Sequence, residues 1–228
     1  MTASVTLGVR ALNRLFQFVA AMAAMLFVAA WSFAWWQAWV LLLVFGTGLF
    51  LITTYFLKTD PQLIERRLRT GPVAERQRIH MIIQALGGLL FVVLVMFPGV
   101  EHRFGGAQMS GSAIVAGNLL VVAGLFVIFL VFRENSVTSA SIEISPGQHV
   151  VATGPYRFVR HPMYAGGLLM KLGIPIALGS VWGLLLWLPM AAIIVVRLTN
   201  EEAFLTVGLP GYAVYRDRTV WRLIPGIY

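Results

Sequence analysis

No cysteine occurs among the 228 residues of this chain. Disulfides, thiolate metal sites and a cysteine nucleophile are therefore excluded together, while nothing follows about the redox compartment. Charge is scarce as well: Asp, Glu, Lys and Arg make up 11%, against about 25% in an ordinary soluble domain. The four histidines, at 80, 102, 149 and 161, are scattered, which argues against a metal site. The sequence contains no GxGxxG after a strand, no GxxxxGKS/T, no HExxH and no GxSxG. The common phosphate cradles, zinc-protease helices and serine-hydrolase elbows thus drop out. Internal repeats and low-complexity segments are absent too.

What the chain has is apolar length. It is 59% hydrophobic, with a mean hydropathy of +0.82. Apolar runs fall near 15–34, 37–57, 79–98, 112–132, 163–179 and 181–197. A bilayer core of about 30 Å needs about 20 apolar residues per helix, so the last two runs sit at the short end. The expectation is an all-α integral membrane protein, a bundle of five or six transmembrane helices. Only Gly179-Ser180 separates the last two runs, which predicts a C-terminal helical hairpin followed by a cytoplasmic amphipathic tail of two short helices. The division expected is 1–132 for the N-terminal helices and 133–228 for a C-terminal module. Arg10 and Arg14 precede the first run as in a signal peptide, but the run continues through Trp31, Trp35, Trp36 and Trp39 into the second. That pattern favours an uncleaved hairpin with an interfacial aromatic belt, cleavage after the Ala-rich part being the alternative.

The net charge of +8 does not point to nucleic acid, because the basic residues lie in loops between apolar runs. They read as topology signals beside anionic lipid. With the N-terminus inside, fifteen of the seventeen Lys and Arg residues fall on one side. Both termini are then cytoplasmic. Arg103, in a loop with Glu101 and His102 expected to be solvated, lies opposite, and Lys171 lies within an apolar run. Residues 60–70 read as a basic interfacial helix capped by Asp60.

Two polar clusters stand out against this background. Gly154–Gly167, GPYRFVRHPMYAGG, places Tyr156, Arg157, Arg160, His161 and Tyr164 at the entrance to an apolar helix. Pro162 suits the first helical position with His161 at the cap, and such a helix start offers unpaired N–H groups to an anion. Gly166 and Gly167 would let a ligand or another helix approach closely. The second cluster, Arg197-Leu-Thr-Asn-Glu201-Glu202, is expected just past the end of the following helix, on the same membrane face. A carboxylate pair there opposes the helix dipole and calls for a cationic partner. Lys171, mid-span, reads either as a snorkelling amine or as a group lining a cavity.

GPYRFVRHPMYAGG, a hairpin, RxxxEE and then GYAVYRDRTVWRLIPGI together resemble the isoprenylcysteine carboxyl methyltransferases, whose C-terminal module related phospholipid methyltransferases share. The resemblance covers about residues 133–228. It implies an integral-membrane methyltransferase that binds S-adenosyl-L-methionine through its C-terminal helices. By position it implies cofactor contacts from Gln148, His149, Val150 and Val151, from Tyr156, from His161, Pro162, Met163 and Tyr164, and from Glu201 or the adjacent Glu202. Ser141 to Glu143 would add a further contact. Arg197 would face the methyl acceptor as the catalytic residue. No metal and no nucleic acid are implied; the partners are the bilayer and a lipophilic or prenylated substrate.

The residues suit these roles chemically. A carboxylate such as Glu201 can compensate a sulfonium and an ammonium, and the helix start at Pro162 can receive a carboxylate. An acceptor carboxylate is already ionised, so it needs no general base, and Arg197 could hold it by charge-assisted bonds. An amine acceptor would instead have to lose a proton beside Arg197. A lipid amine or thiol acceptor, a membrane reductase using NADPH (sterol reductases carry a similar His-Pro-x-Tyr pattern) and a non-enzymatic membrane protein remain the alternatives.

Overall fold

The computed structural model describes residues 2–68, 78–106, 108–136 and 149–228. Among these there is no strand, only an isolated bridge between Gln108 and Ser180. The helices are α1 (Thr2–Ala30), α2 (Trp36–Thr59), α3 (Pro61–Leu68), α4 (Arg78–Arg103), α5 (Gly111–Glu134), α6 (Pro162–Ala177), α7 (Trp187–Gly208) and α8 (Tyr212–Arg218). Tight 3-10 turns at Gly154–Arg157 and Trp182–Leu186 precede α6 and α7. Five helical stretches are long and apolar enough to cross a membrane, and the last runs from Trp182 to Gly208. The remaining apolar run forms α6, whose 16 residues include a largely buried face. The protein is an all-α membrane bundle, with five membrane-length helices among the described residues.

Two glycine pairs set the position of α6. Gly117 and Gly124 lie two turns apart on α5, as do Gly166 and Gly173 on α6. A Cβ on Gly124 would lie 2.5 Å from the Gly166 carbonyl oxygen, and one on Gly173 would lie 2.5 Å from that of Gly117. The two backbones are in direct contact, the arrangement small residues permit between helices in lipid. The Gly166 position is thus taken by a helix and not by a ligand. Lys171 stands one turn beyond Gly167, half-buried, with its Nζ 3.5 Å from where a Cβ of Gly167 would sit.

Three expectations about the helix ends need correction. α7 does not stop before the glutamates; it continues to Gly208, so Glu201 and Glu202 lie inside the helix and the dipole argument for compensating them fails. The residues after 196 lose apolarity but include the good helix formers Arg197, Leu198, Glu201, Glu202, Ala203 and Leu205, with no Gly or Pro before Gly208. Consequently the tail holds one short helix, α8, rather than two. Glu101 is not solvated. It is buried near the end of α4, accepting from the Ser180 hydroxyl at 2.5 Å, and its backbone carbonyl accepts from Gly106 N at 2.9 Å. Of the four tryptophans at the first hairpin, Trp31, Trp36 and Trp39 are exposed, as a belt requires. Trp35 is instead fully buried and stacks on His102 with ring centroids 5.0 Å apart.

The interfacial helix forms as its cap predicts: Asp60 Oδ1 accepts from the Leu63 amide at 3.1 Å. Leu63 and Ile64 bury against Leu7, Ala11 and Phe56, which turns the arginines of α3 toward α5 and α6.

Candidate functional site

The start of α6 is pinned from below by the C-terminal tail. The Arg160 amide donates to the Trp221 carbonyl and the His161 amide to the Arg222 carbonyl, each at 2.9 Å. His161 is the N-cap residue and Pro162 the first helical residue, as expected from the missing proline N–H. Around them closes a buried ionic knot centred on Glu202. Its Oε1 accepts from Arg160 Nε at 2.6 Å and lies 3.2 Å from His161 Nε2, while Oε2 accepts from Arg222 Nε at 2.9 Å. Arg160 also donates from Nη1 to the carbonyls of Thr219 and Val220, both at 2.9 Å. Outside the spans, the partly exposed Arg222 guanidinium is held above its ordinary pKa, chiefly by its bond to Glu202.

One residue earlier on α7, Glu201 points elsewhere. It accepts from the Tyr164 hydroxyl at 2.6 Å. The same hydroxyl accepts from Arg197 Nε at 2.9 Å, and Arg197 Nη1 donates to Gln84 Oε1 of α4 at 3.1 Å. Tyr164 and His161 sit on one face of the first turn of α6, their ring centroids 5.7 Å apart. The two polar clusters, about forty residues apart in sequence, therefore form one continuous polar wall.

Residues 112–208 match the phospholipid methyltransferase family. This family includes the isoprenylcysteine carboxyl methyltransferases, so the family expected from the motifs is borne out over that segment. The matched phospholipid methyltransferase segment begins one helix earlier than the motif resemblance, at the start of α5, and ends with α7. It implies a methyltransferase of the membrane-embedded kind, which suits a bundle with five membrane-length helices. No curated protein matches the chain.

The third wall of the site is the loop entering α6. Gly154 holds φ +56°, a left-handed conformation suited to glycine. A Cβ there would lie 2.7 Å from a Glu134 carboxylate oxygen, and Glu134 also accepts from the Thr153 hydroxyl. This turn presents Tyr156, whose hydroxyl accepts from Asn135 Nδ2 at 3.2 Å and whose carbonyl accepts from the Tyr215 hydroxyl at 2.8 Å. Burial pushes the Tyr156 phenol up to about 12, so it stays neutral. Burial likewise raises Tyr212 and Tyr215. Val150 and Tyr156 pack against Leu209, Tyr212 and Tyr215.

Of the residues singled out from sequence, His161, Pro162, Met163, Tyr164, Arg197, Glu201 and Glu202 come together at the α6–α7 wall. Tyr156 and Val150 sit in the adjoining loop. His149 is exposed and Val151 half-buried; Gln148 and Ser141 to Glu143 lie outside the described residues. Arg67 and Gln84 were not foreseen. Arg67 reaches Met163 from α3, its Nη2 2.9 Å from the sulfur, and Gln84 anchors Arg197. Both come from the N-terminal part of the chain, and Arg67 stood among basic residues that read as topology signals. Among the described residues no group of three or more His, Asp or Glu side chains could hold a metal ion.

Proposed function

We propose that the protein is an integral-membrane methyltransferase that uses S-adenosyl-L-methionine and acts on a lipophilic acceptor with a carboxylate, such as a prenylated cysteine. When bound, the cofactor supplies a methyl group activated by a positively charged sulfur. The observation that carries the reading is the contrast between the two neighbouring glutamates. Glu202 is saturated by Arg160, His161 and Arg222. Glu201 has Tyr164 as its one hydrogen-bond donor among the described residues and is only partly buried. A carboxylate left with spare acceptor capacity in a membrane bundle fits a cationic ligand.

The residues around it suit that ligand. Glu201 compensates the cationic part of the cofactor, and the Tyr164 hydroxyl orients the carboxylate. Tyr156 and Val150 offer an aromatic face and an apolar wall to an adenine, beside Tyr212 and Tyr215. Arg197, fixed by Tyr164 and Gln84, faces the acceptor and holds its carboxylate by charge-assisted bonds. Methyl transfer to an ionised carboxylate requires no proton removal, so the contribution of this chain is alignment and exclusion of water. The Glu202 knot has a supporting role: it fixes the tail and the start of α6, and so the geometry of everything above it. The positive-inside count supports a site and termini on the cytoplasmic side.

Calorimetry on detergent-purified protein tests the reading. Adenosylhomocysteine should bind, NADPH should not, and a radiolabelled methyl-transfer screen over prenylcysteine analogues, membrane lipids and thiols should favour the carboxylates. Binding of NADPH alone would point to a reductase. Binding of neither would leave a helical membrane protein without this activity.

A further inference from the structure

α3 carries two neighbouring arginines with different surroundings. Arg66 donates from Nη2 to the Ser136 carbonyl at 2.5 Å. Arg67 instead reaches the first turn of α6, where its Nη2 lies 2.9 Å from Met163 Sδ, and its guanidinium lies 4.4 Å from the Phe132 ring centroid. A thioether is a weak acceptor, and an aromatic face compensates a cation only in part. Its Nε, like that of Arg66, is buried with no hydrogen-bond partner among the described residues. Among the described residues no carboxylate stands within ion-pair distance, whereas Arg160 and Arg222 both have Glu202.

Arg67 as a whole is half-buried, and a guanidinium held partly off water without a carboxylate ordinarily serves a carboxylate or phosphate. Burial lowers the Arg67 pKa to about 10, against the opposing influence of Tyr156, Tyr164 and Glu201. It therefore remains charged at neutral pH, within the electrostatic reach of all three site residues. Arg197 is committed to Tyr164 and Gln84, so Arg67 has the larger unused donor capacity. We propose that Arg67 is an anion-binding residue of this site, whose guanidinium receives a carboxylate or phosphate of a bound ligand next to Met163 and Tyr164. The inference rests on the methyltransferase reading and extends it, because it completes the site with a residue outside the segment that matches the family. The anion has two sources, the carboxylate of the methyl donor or the anionic group of the acceptor.

The test uses the full chain in detergent, as wild type, Arg67→Met and Arg67→Lys, with melting curves recorded for each. Calorimetry compares two pairs of probes: adenosylhomocysteine against its decarboxylated analogue, and N-acetyl farnesylcysteine against its methyl ester. The wild type should prefer the carboxylate in one pair. Arg67→Met should lose that preference, weakening the carboxylate ligand about tenfold or more and leaving the neutral one unchanged. Arg67→Lys should recover part of it. Loss in the first pair assigns the anion to the donor, and loss in the second assigns it to the acceptor. A wild type that discriminates in neither pair overturns the inference. So does an Arg67→Met protein that discriminates as the wild type does, or one that weakens charged and neutral ligands alike. Should Arg67→Met fail to fold, Arg67→Lys that keeps only part of the discrimination supports the inference, and Arg67→Lys that discriminates as the wild type does, or weakens charged and neutral ligands alike, overturns it. A wild type that binds no adenosine ligand overturns the methyltransferase reading itself, an outcome distinct from failure of the variants alone.

Discussion

Tyr164 and Glu201, 37 positions apart in sequence, share a hydrogen bond of 2.6 Å. The contact joins the first turn of α6 to the C-terminal half of α7 and leaves Glu201 with acceptor capacity to spare. If Glu201 meets the cationic part of the cofactor, Tyr164→Phe should weaken adenosylhomocysteine by about tenfold, the loss typical of a hydrogen bond to a charged group. Melting should change little. Unaltered affinity in Tyr164→Phe would remove the tyrosine from the cofactor site.

Glu202 should behave in the opposite manner. Glu202→Ala leaves Arg160 buried without its carboxylate, and breaking a buried ion pair costs about 3–5 kcal/mol. Thermal or denaturant unfolding in a defined detergent should report a large loss of stability, with any loss of cofactor binding following from it. A Glu202→Ala protein with wild-type stability but no cofactor binding would reverse the roles given to the two glutamates.

Gly124 and Gly173 permit backbone contact between α5 and α6. Gly124→Val forces these helices apart, and overpacking of this kind typically costs about 1–3 kcal/mol. Since α6 carries His161, Met163 and Tyr164, adenosylhomocysteine affinity should fall together with the melting temperature. Gly8→Ala, in the interior of α1 where a Cβ meets nothing within 4 Å, serves as the control: affinity should be unchanged, and the melting temperature should hold or rise slightly because alanine favours the helix over glycine.

Gly154→Ala should perturb the loop. An L-residue in a left-handed conformation costs about 1–2 kcal/mol, and the new Cβ would press on Glu134. Displacement of Tyr156 should appear as reduced cofactor affinity, measured by calorimetry, at a modest loss of stability.

The Tyr156 phenol predicts an alkaline effect with a definite sign. Its folded pKa, about 12, is above the unfolded value near 10, so the native state binds the proton more tightly. The resulting stability is fully present below pH 10 and is lost as pH rises through 12. Tyr212 and Tyr215 act in the same direction. Melting temperatures recorded from pH 9 upward should therefore fall, and fall less steeply in Tyr156→Phe.

Much of this architecture is legible in the amino-acid sequence because lipid imposes a simple rule: about 20 apolar residues make a span. The runs that became α2, α4 and α5 follow it, and His161-Pro162 marks the start of α6 through proline's missing donor. Apolarity is a poor guide to where a helix stops, and α7 continues as a polar helix for a dozen residues beyond Val196. Burial of single polar side chains was also hidden. Glu101 and Trp35 look like interfacial residues by composition, yet packing from the Ser180 turn and from His102 buries them. At the site, the meeting of Tyr164 with Glu201 followed from the hairpin. Arg67 and Gln84 did not, because contacts across 96 and 113 positions leave no trace in local spacing.

The most direct measurement is calorimetric titration of adenosylhomocysteine into the purified wild type and the Glu201→Gln variant. The account predicts saturable binding to the wild type and binding weakened by about tenfold or more in the variant, with an unchanged melting temperature. Equal affinity in the two proteins, or no binding to the wild type, would contradict it.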